Sequence, residues 1–262
     1  MEKLPDIEFL LKIRALSRKN GVHPTVAGLL MFGKKEDIVT VFPEYALTCF
    51  CEQKLEDTAE ESGNLFEFYH GMEKRIEGWS EDKEVQTALK EAAVNALIHT
   101  DYFGRGGVRI MRKGDSVVIE NPGLLRTSRE EALHGVSDLR NETLGRMFFL
   151  AGLGEGSGGG LYFIHKVWRE RGWEKPCLRE FFLPERTVLS LKMMPSPFVQ
   201  KVENDDQVRA VVDYLTEHVE AEFMELERML GLSSHKTQKL LRDLMDEGIV
   251  EKTERSHYRL KT

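Results

Sequence analysis

The sequence has little cysteine and no long apolar run. Only three of its 262 residues are cysteine, which is too few for a disulfide framework. No histidine lies at a zinc-like spacing from them, so we expect buried thiols and no zinc site. The longest apolar stretches, such as Val26–Phe32, are far too short to cross a bilayer. The polar start, broken by Pro5, shows no secretory signal, and we expect a cytoplasmic protein without a membrane partner.

The chain also lacks an excess of positive charge. Its 37 Lys and Arg residues are outnumbered by 44 Asp and Glu residues, which gives a net charge of −7. A protein that coats nucleic acid with its whole surface is therefore excluded, and any DNA contact must be local. The Walker A pattern GxxxxGK[ST] is absent as well, so helicase activity is not expected.

Spacing of apolar residues predicts an N-terminal α/β segment over residues 1–80. Helical periodicity covers Asp6 to Lys19, and Thr25 caps a short apolar helix that ends at Gly33. Alternation over Tyr45 to Cys51 indicates a strand, and a further helix follows from about Leu65.

Residues 81–196 form the predicted central domain. A long helix runs from Glu84 to about Tyr102, and a hairpin follows whose turn is Lys113-Gly114-Asp115. More helices and two further strands come after it. Because helices and an antiparallel sheet occur in separate groups, the class predicted is an α+β sandwich rather than a doubly wound fold.

A third region begins after a predicted boundary. Pro195, Pro197 and the acidic run from Glu203 to Asp206 mark that boundary, because prolines and solvated charges rarely run through a core. Residues 205–262 then show three helices and two short strands, the layout of a winged helix-turn-helix.

Three polar residues recur on the long helix of the central domain. Glu91, Asn95 and His99 are four residues apart and share one stripe among alanines. Such a stripe indicates that this side of the helix borders a cavity. The alternative interpretation is a polar face exposed to solvent.

Downstream lies a glycine-rich segment over residues 154–160. Its glycines let backbone amides approach an anion, and the next helix presents free N–H groups at its start. A plain linker is the alternative, but the position between two helical patterns favours a phosphate cradle.

Taken in order, the motifs resemble the GHKL superfamily of ATP-binding domains, which includes gyrase and histidine kinases. They are a helix with ExxxN, a hairpin strand that ends in Glu120-Asn121-Pro122-Gly123, and GxGxGL. The match is closer to a bacterial group of RecG-related transcriptional regulators, which also carry Arg140-Asn141 and a segment like Thr25 to Gly33. The AlbA-like (Schlafen-type) domain that often opens those proteins is missing, so the chain is interpreted as a shortened form or a fragment.

The resemblance implies a Bergerat-type α/β sandwich that binds ATP and magnesium. Asn95 would ligate magnesium, Glu91 would orient or deprotonate the attacking water as the catalytic residue, and Asn121 would stand where an aspartate usually contacts adenine. The other nucleotide-binding residues implied are Gly123, which lets the backbone pass the base, and Gly156, Gly158 and Gly160 around the phosphates. His99, Asp101 and Arg140 match the subgroup motifs, and a structural role is the alternative for them.

In the last domain the basic residues are concentrated in its second half. Residues 205–232 hold two basic and eight acidic residues, whereas residues 233–262 hold seven basic and five acidic. Leu240, Leu241 and Leu244 form the apolar stripe of its third helix, and Ser233 is a plausible N-cap. DNA contact would fall on the opposite side of that helix and on the wing, at His235, Lys236, Lys239, Arg242, Lys252, Arg255 and Arg259. Protein contact or dimerisation is the alternative.

These readings leave three hypotheses for the whole chain. The first is a transcriptional regulator whose ATP binding alters how the winged helix meets DNA, with a homodimer as a further partner. The second is a slow ATPase of a DNA-related pathway. The third is a degenerate GHKL scaffold that binds no nucleotide, for which the exchange to Asn121 is the main argument. No separate dimerisation helix with a phosphorylatable histidine precedes the ATP helix, which argues against a histidine kinase.

Overall fold

The computed structural model describes residues 6–52, 63–153, 159–195, 205–253 and 257–261. The chain divides into two compact units, Met1–Met194 and Pro195–Thr262. Gly156, Gly158 and Arg255, which the sequence assigns to the phosphate and DNA sites, lie outside the described residues. Within the described ranges, no helix is long and apolar enough to span a membrane.

Short elements open the first unit. They are α1 (Asp6–Lys12), β1 (Leu16–Ser17), β2 (His23–Pro24), α2 (Val26–Phe32) and α3 (Lys35–Val41). The helix predicted over Asp6 to Lys19 is therefore too long. It ends at Lys12 because Arg14 turns to a φ of 63° and the Ala15 amide donates to the Leu10 carbonyl, which closes the helix as a C-terminal cap does. The predicted cap at Thr25 is confirmed, since its side chain accepts from the Gly28 amide at 3.0 Å.

A mixed five-stranded sheet forms the centre of the first unit. Its strands are β3 (Leu47–Cys51), β4 (Val108–Lys113), β5 (Ser116–Pro122), β6 (Cys177–Phe182) and β7 (Glu185–Lys192), in the spatial order β3-β4-β5-β7-β6. The predicted hairpin between β4 and β5 is confirmed. The sheet is not wholly antiparallel as predicted, because β3 pairs parallel with β4. A parallel neighbour needs a crossover connection, and two helices supply it here, α4 (Leu65–Glu77) and α5 (Lys83–His99).

Helices cover one face of this sheet. α5 packs on β4 and β5, and it also contacts α4, α7 (Glu142–Leu150) and α8 (Gly160–Glu170), while the short α6 (Arg129–Leu133) contacts α8. A row of buried side chains crosses all five strands beneath the helices: Cys49, Ile110, Ile119, Leu189 and Leu178. The α+β class is thus confirmed, with α5 at the middle of the helical layer.

Over its described residues, the second unit has three helices and three short strands. They are α9 (Asp206–His218), β8 (Glu220–Glu222), α10 (Phe223–Leu230), α11 (Ser234–Asp246), β9 (Val250–Lys252) and β10 (His257–Leu260), with strand order β8-β10-β9. Leu241 and Leu244 of α11 are buried as predicted, while Leu240 is only partly so. Ser233 stands at the N-cap of α11, but its side chain makes no capping hydrogen bond.

We predict that Gly28→Ala destabilises the first unit. A Cβ at residue 28 would lie 1.9 Å from the carbonyl oxygen of Ala15, and that backbone is held in place by the Thr25 amide at 2.9 Å. Forcing the two apart should lower the free energy of unfolding by about 1–3 kcal/mol, as measured by urea denaturation. Gly78→Ala is the matched control, because a Cβ there meets its nearest atom at 3.4 Å. Equal stability of the two variants would contradict the prediction.

Candidate functional site

A cavity of about 570 Å³ opens in the first unit beside α5. This volume lies in the range of about 300–1,000 Å³ that small-molecule sites usually have. Residues from α5, β5, β7, α7, α8 and the segment between β5 and α7 line it. Of the site residues predicted from the sequence, the cavity brings together Glu91, Asn95, His99, Asn121, Arg140 and Gly160.

One wall of the cavity is the polar stripe of α5. The helix begins at a strong cap, because the Asp82 carboxylate accepts from the backbone amides of Glu84 and Val85. Glu91 is only 8% exposed, and Asn95 and His99 are partly buried. The stripe therefore borders a cavity and not open solvent, which decides between the two interpretations of its pattern.

Gly160, the first residue of α8, faces this stripe at very short range. A Cβ at residue 160 would lie 2.3 Å from Oε1 of Glu91 and 2.7 Å from Nδ2 of Asn95. Only a glycine lets the N-terminus of α8 come so close to the two polar side chains. A carboxylate and an amide thereby lie beside a helix start, which is a position that favours anions.

Two further buried polar residues line the cavity. Asn121 on β5 and Thr187 on β7 are direct cross-strand partners, and each is 7% exposed. The Asn121 Nδ2 donates to the Pro122 carbonyl at 3.1 Å, and the Thr187 hydroxyl donates to the Gly123 carbonyl at 2.8 Å. The Thr187 hydroxyl proton and one of the two N–H groups of Asn121 are used in this way. What remains for a ligand is the amide oxygen of Asn121, its second N–H and the lone pairs of Thr187.

Arg140 and Asn141 tie the end of α5 to the rest of the site. Arg140 donates through Nε to the His99 carbonyl at 3.2 Å and through Nη2 to the Leu124 carbonyl at 2.9 Å. Asn141 donates through Nδ2 to the carbonyls of Ile98 and Thr100. The last carbonyls of a helix lack partners within it, so these two side chains end α5 at His99, short of the predicted Tyr102.

Asp101 and Gly123 lie beside the cavity and do not line it. The Asp101 amide donates to the Pro122 carbonyl at 2.9 Å. Gly123 has a φ of 93°, and a Cβ on it would approach Nη2 of Arg140 to 3.2 Å. Both residues thus shape the turn that follows β5, which gives them a positioning role in this structure.

Sequence reasoning missed Thr187 and the long segment between β5 and α7. Thr187 is found only through its register with Asn121, and no local pattern marks it. The segment contributes Leu124, Leu125, Val136 and Leu139 to the cavity lining. Its scattered apolar residues could have indicated a lining loop, but they follow no helix or strand period.

In the second unit, the residues predicted to contact DNA on α11 are all exposed: His235, Lys236, Lys239 and Arg242. On the strands, Lys252 is exposed, with its Nζ 5.9 Å from the centre of the Tyr258 ring. Arg259 is also exposed, but both Nε and Nη2 lie 2.6 Å from Oε1 of Glu251. The guanidinium charge of Arg259 is therefore already paired with the carboxylate of Glu251.

Comparison with known protein families gives two partial matches. Residues 106–182 match the HATPase-type family described as "Putative ATP-dependent DNA helicase recG C-terminal", and residues 1–48 match a domain of unknown function. No curated protein matches the chain. The HATPase-type match includes Asn121 and Arg140 but begins after α5. It supports an ATPase-like domain, which implies nucleotide binding.

Among solved structures, the crystal structure of the DIP2311 protein from Corynebacterium diphtheriae is similar to this one. The TM-score is 0.62 at 16% sequence identity, over 98% of this chain and 57% of the other. The chain thus spans little more than half the length of that protein. At this identity the likeness concerns the fold alone.

We predict that the first unit loses stability as the pH falls from about 7 towards 4. Burial, with the nearby charge of Arg140, lowers the pKa of His99. Burial, with Lys175 and Arg129, lowers the pKa of His165 to about 4, and the buried Nε2 of His165 has no hydrogen-bond partner among the described residues. Below a pH of about 6.5 the unfolded histidines take up protons that the folded ones do not, so acid favours unfolding. Thermal unfolding over this range should show it.

His165→Gln should make the stability depend less steeply on pH, because unfolding of the variant takes up roughly one proton fewer than unfolding of the wild type. The matched control is His134→Gln, because His134 is exposed. A profile of the His165 variant as steep as that of the wild type would contradict the prediction.

Proposed function

We propose that the chain binds ATP with magnesium in the cavity beside α5, and that nucleotide binding alters how the second unit contacts DNA. The observation that carries the first part is the meeting of Glu91, Asn95 and Gly160 at the N-terminus of α8, opposite the acceptor pair Asn121 and Thr187. The second part is carried by the exposed basic face of α11. Nucleotide binding and DNA contact together would make the protein a transcriptional regulator.

The acceptor pair at the end of the cavity fits an adenine base. The amide oxygen of Asn121 and the hydroxyl oxygen of Thr187 can both accept a hydrogen bond from an exocyclic amino group. A 6-oxo purine presents a carbonyl there instead, which could accept only from the second N–H of Asn121 and would leave the Thr187 oxygen without a donor. The preference for an amino-bearing base is therefore assigned mainly to Thr187, with the Asn121 oxygen as a second acceptor.

Phosphates and magnesium fit the other end of the cavity. Magnesium in nucleotide sites is usually held by one or two protein oxygens together with phosphates and waters, and the side-chain oxygen of Asn95 can supply one of them. The start of α8 at Gly160 would receive the phosphates, and the resemblance implies that Gly156 and Gly158 do so as well. Bound magnesium would neutralise phosphate charge. Glu91 would orient water there, which leaves a slow ATPase as an additional activity.

The second unit supports DNA contact through a winged helix. Its helices α10 and α11 are joined by a turn at Gly231, which has a φ of 61°, and the strands β9 and β10 pair as a wing would. Lys236, Lys239 and Arg242 are exposed on α11, opposite the buried Leu241 and Leu244. These features support the proposal that α11 enters a major groove as a recognition helix while the wing touches phosphates.

We predict that ATP with magnesium raises the melting temperature of the protein and that inosine triphosphate does so far less. At a ligand concentration of 100 times Kd, binding should add about 2.7 kcal/mol of stability, which corresponds to roughly 5–10 °C for a unit of this size. Asn95→Ala should remove the part of this shift that depends on magnesium. Differential scanning fluorimetry measures all three effects.

Arg105→Ala serves as the control for the Asn95 variant, because Arg105 is exposed and does not line the cavity. Absence of any shift with ATP would support the degenerate scaffold instead. An equal shift with inosine triphosphate would refute the role of the acceptor pair while leaving nucleotide binding intact.

We also predict that the chain binds duplex DNA and that ATP with magnesium changes its affinity. Lys239→Ala combined with Arg242→Ala should weaken binding roughly tenfold or more, because each residue would lose a phosphate or base contact. Fluorescence anisotropy with a labelled duplex measures both effects. Arg209→Ala combined with Arg228→Ala is the control with equal loss of charge in the same unit, and both residues are exposed. Unchanged DNA affinity on addition of nucleotide would refute the coupling, and unchanged affinity of the double variant would refute the role of α11.

A further inference from the structure

The N-terminal segment of the first unit carries a concentration of positive charge that the proposed function does not use. Between Lys12 and Lys35 the sequence holds six of the chain's 37 Lys and Arg residues and none of its 44 Asp and Glu residues. In a chain with a net charge of −7, such a run is a local positive patch on an otherwise acidic molecule.

The fold gathers three of these six residues, together with one histidine, around one hairpin. β1 and β2 pair through Leu16 with Pro24 and Ser17 with His23, so residues 18–22 form the loop of a hairpin. Asn20 and Gly21 have φ values of 63° and 102°, which turn the chain sharply. Arg18 and Lys19 lie in this loop, and both are exposed.

Helix α1 brings Lys12 to the same place. The Arg18 guanidinium forms an ion pair with the carboxylate of Glu8 on α1. Glu8 and Lys12 are four residues apart, so they lie on the same face of the helix, the one that meets the hairpin. Lys12, Arg18, Lys19 and His23 therefore form one exposed surface, which we call the basic hairpin surface.

The ring of His23 adds to its charge. Nδ1 lies 3.1 Å from the Pro24 carbonyl and Nε2 lies 2.6 Å from the Lys19 carbonyl. Only the protonated ring can donate to both oxygens, and these contacts, with Pro24 the larger contributor, raise the pKa of His23. The charge of Arg18 on the same surface is partly offset, because Glu8 pairs with it.

We propose that the basic hairpin surface is a second DNA contact, which binds the phosphate backbone of a duplex without reading its sequence. The choice of DNA as the polyanion depends on the proposed DNA contact of the second unit, whereas the positive surface itself does not. Long lysine and arginine side chains on an exposed loop can contact the phosphates of a duplex, which are regularly spaced and negatively charged. Its side chains are exposed and extend from a loop and a helix end, so a base-specific contact is not expected.

The test compares three triple variants of the full chain in duplex binding at several salt concentrations. The first is Lys12→Gln, Arg18→Gln and Lys19→Gln. The second is a control in the same unit with equal loss of charge, Lys74→Gln, Lys113→Gln and Lys166→Gln, all of which are exposed. The third removes the proposed contact of the second unit through Lys236→Gln, Lys239→Gln and Arg242→Gln.

We expect the hairpin variant to bind more weakly and to reduce the slope of log K against log salt by about 2 to 3, because each lost phosphate contact removes about 0.9 from that slope. The control variant should change the slope by less than half as much. This result supports the hairpin contact even if the α11 variant binds like the wild type, in which case only the role of α11 fails.

Three outcomes would overturn the hairpin contact. A slope like that of the wild type would do so, and if the α11 variant is weakened at the same time, the DNA contact of the second unit still stands. An equal loss of affinity and of salt slope in the control variant would show that DNA binding depends only on the net charge of the chain. Wild-type binding to vesicles of anionic lipid, abolished in the hairpin variant, without binding to the duplex would assign the surface to a membrane instead.

Discussion

The contact between Gly160 and the polar stripe of α5 is the constraint on which the candidate site depends. Any side chain at residue 160 would displace Glu91 or Asn95, since its Cβ would lie within 2.7 Å of both. The close approach brings the first turn of α8 next to the carboxylate of Glu91 and the side-chain amide of Asn95. Small residues on α5, among them the buried Ala92 and Ala96, line the cavity on the same helix and leave it open.

The hydrogen bonds that hold the backbone together also determine the chemistry of the cavity. Arg140 and Asn141 satisfy the last carbonyls of α5 and fix its end against the turn after β5. At that turn, the carbonyls of Pro122 and Gly123 take the donors of Asn121 and Thr187. What remains toward the cavity is two acceptor oxygens and one N–H of Asn121. Arg140, whose motif match gave no definite role, has a structural one, because it holds the end of α5 by hydrogen bonds.

Sequence patterns predicted the local elements well where one period dominates. The α5 stripe, the β4–β5 hairpin, the cap at Thr25 and the helices of the second unit all follow from spacing, turn residues and caps. The prediction for α1 was too long because apolar spacing continues past Lys12, while the chain turns at Arg14 to pair β1 with β2. The parallel pairing of β3 was missed because a strand of five residues carries no sign of its partner, and the direction of pairing depends on the helices that connect the strands.

What the sequence by itself determined is the set of reactive residue types and their placement on elements: Glu91 and Asn95 on one helical face, Asn121 at the end of a strand, and basic residues on α11. Only the tertiary structure decided which of them meet. Gly160 reaches Glu91 across 69 positions of sequence, and Thr187 reaches Asn121 across 66, through helix packing and strand register. Periodicity reports which face of an element is buried, but it carries no information about the partner that buries it, because many partners satisfy the same apolar pattern.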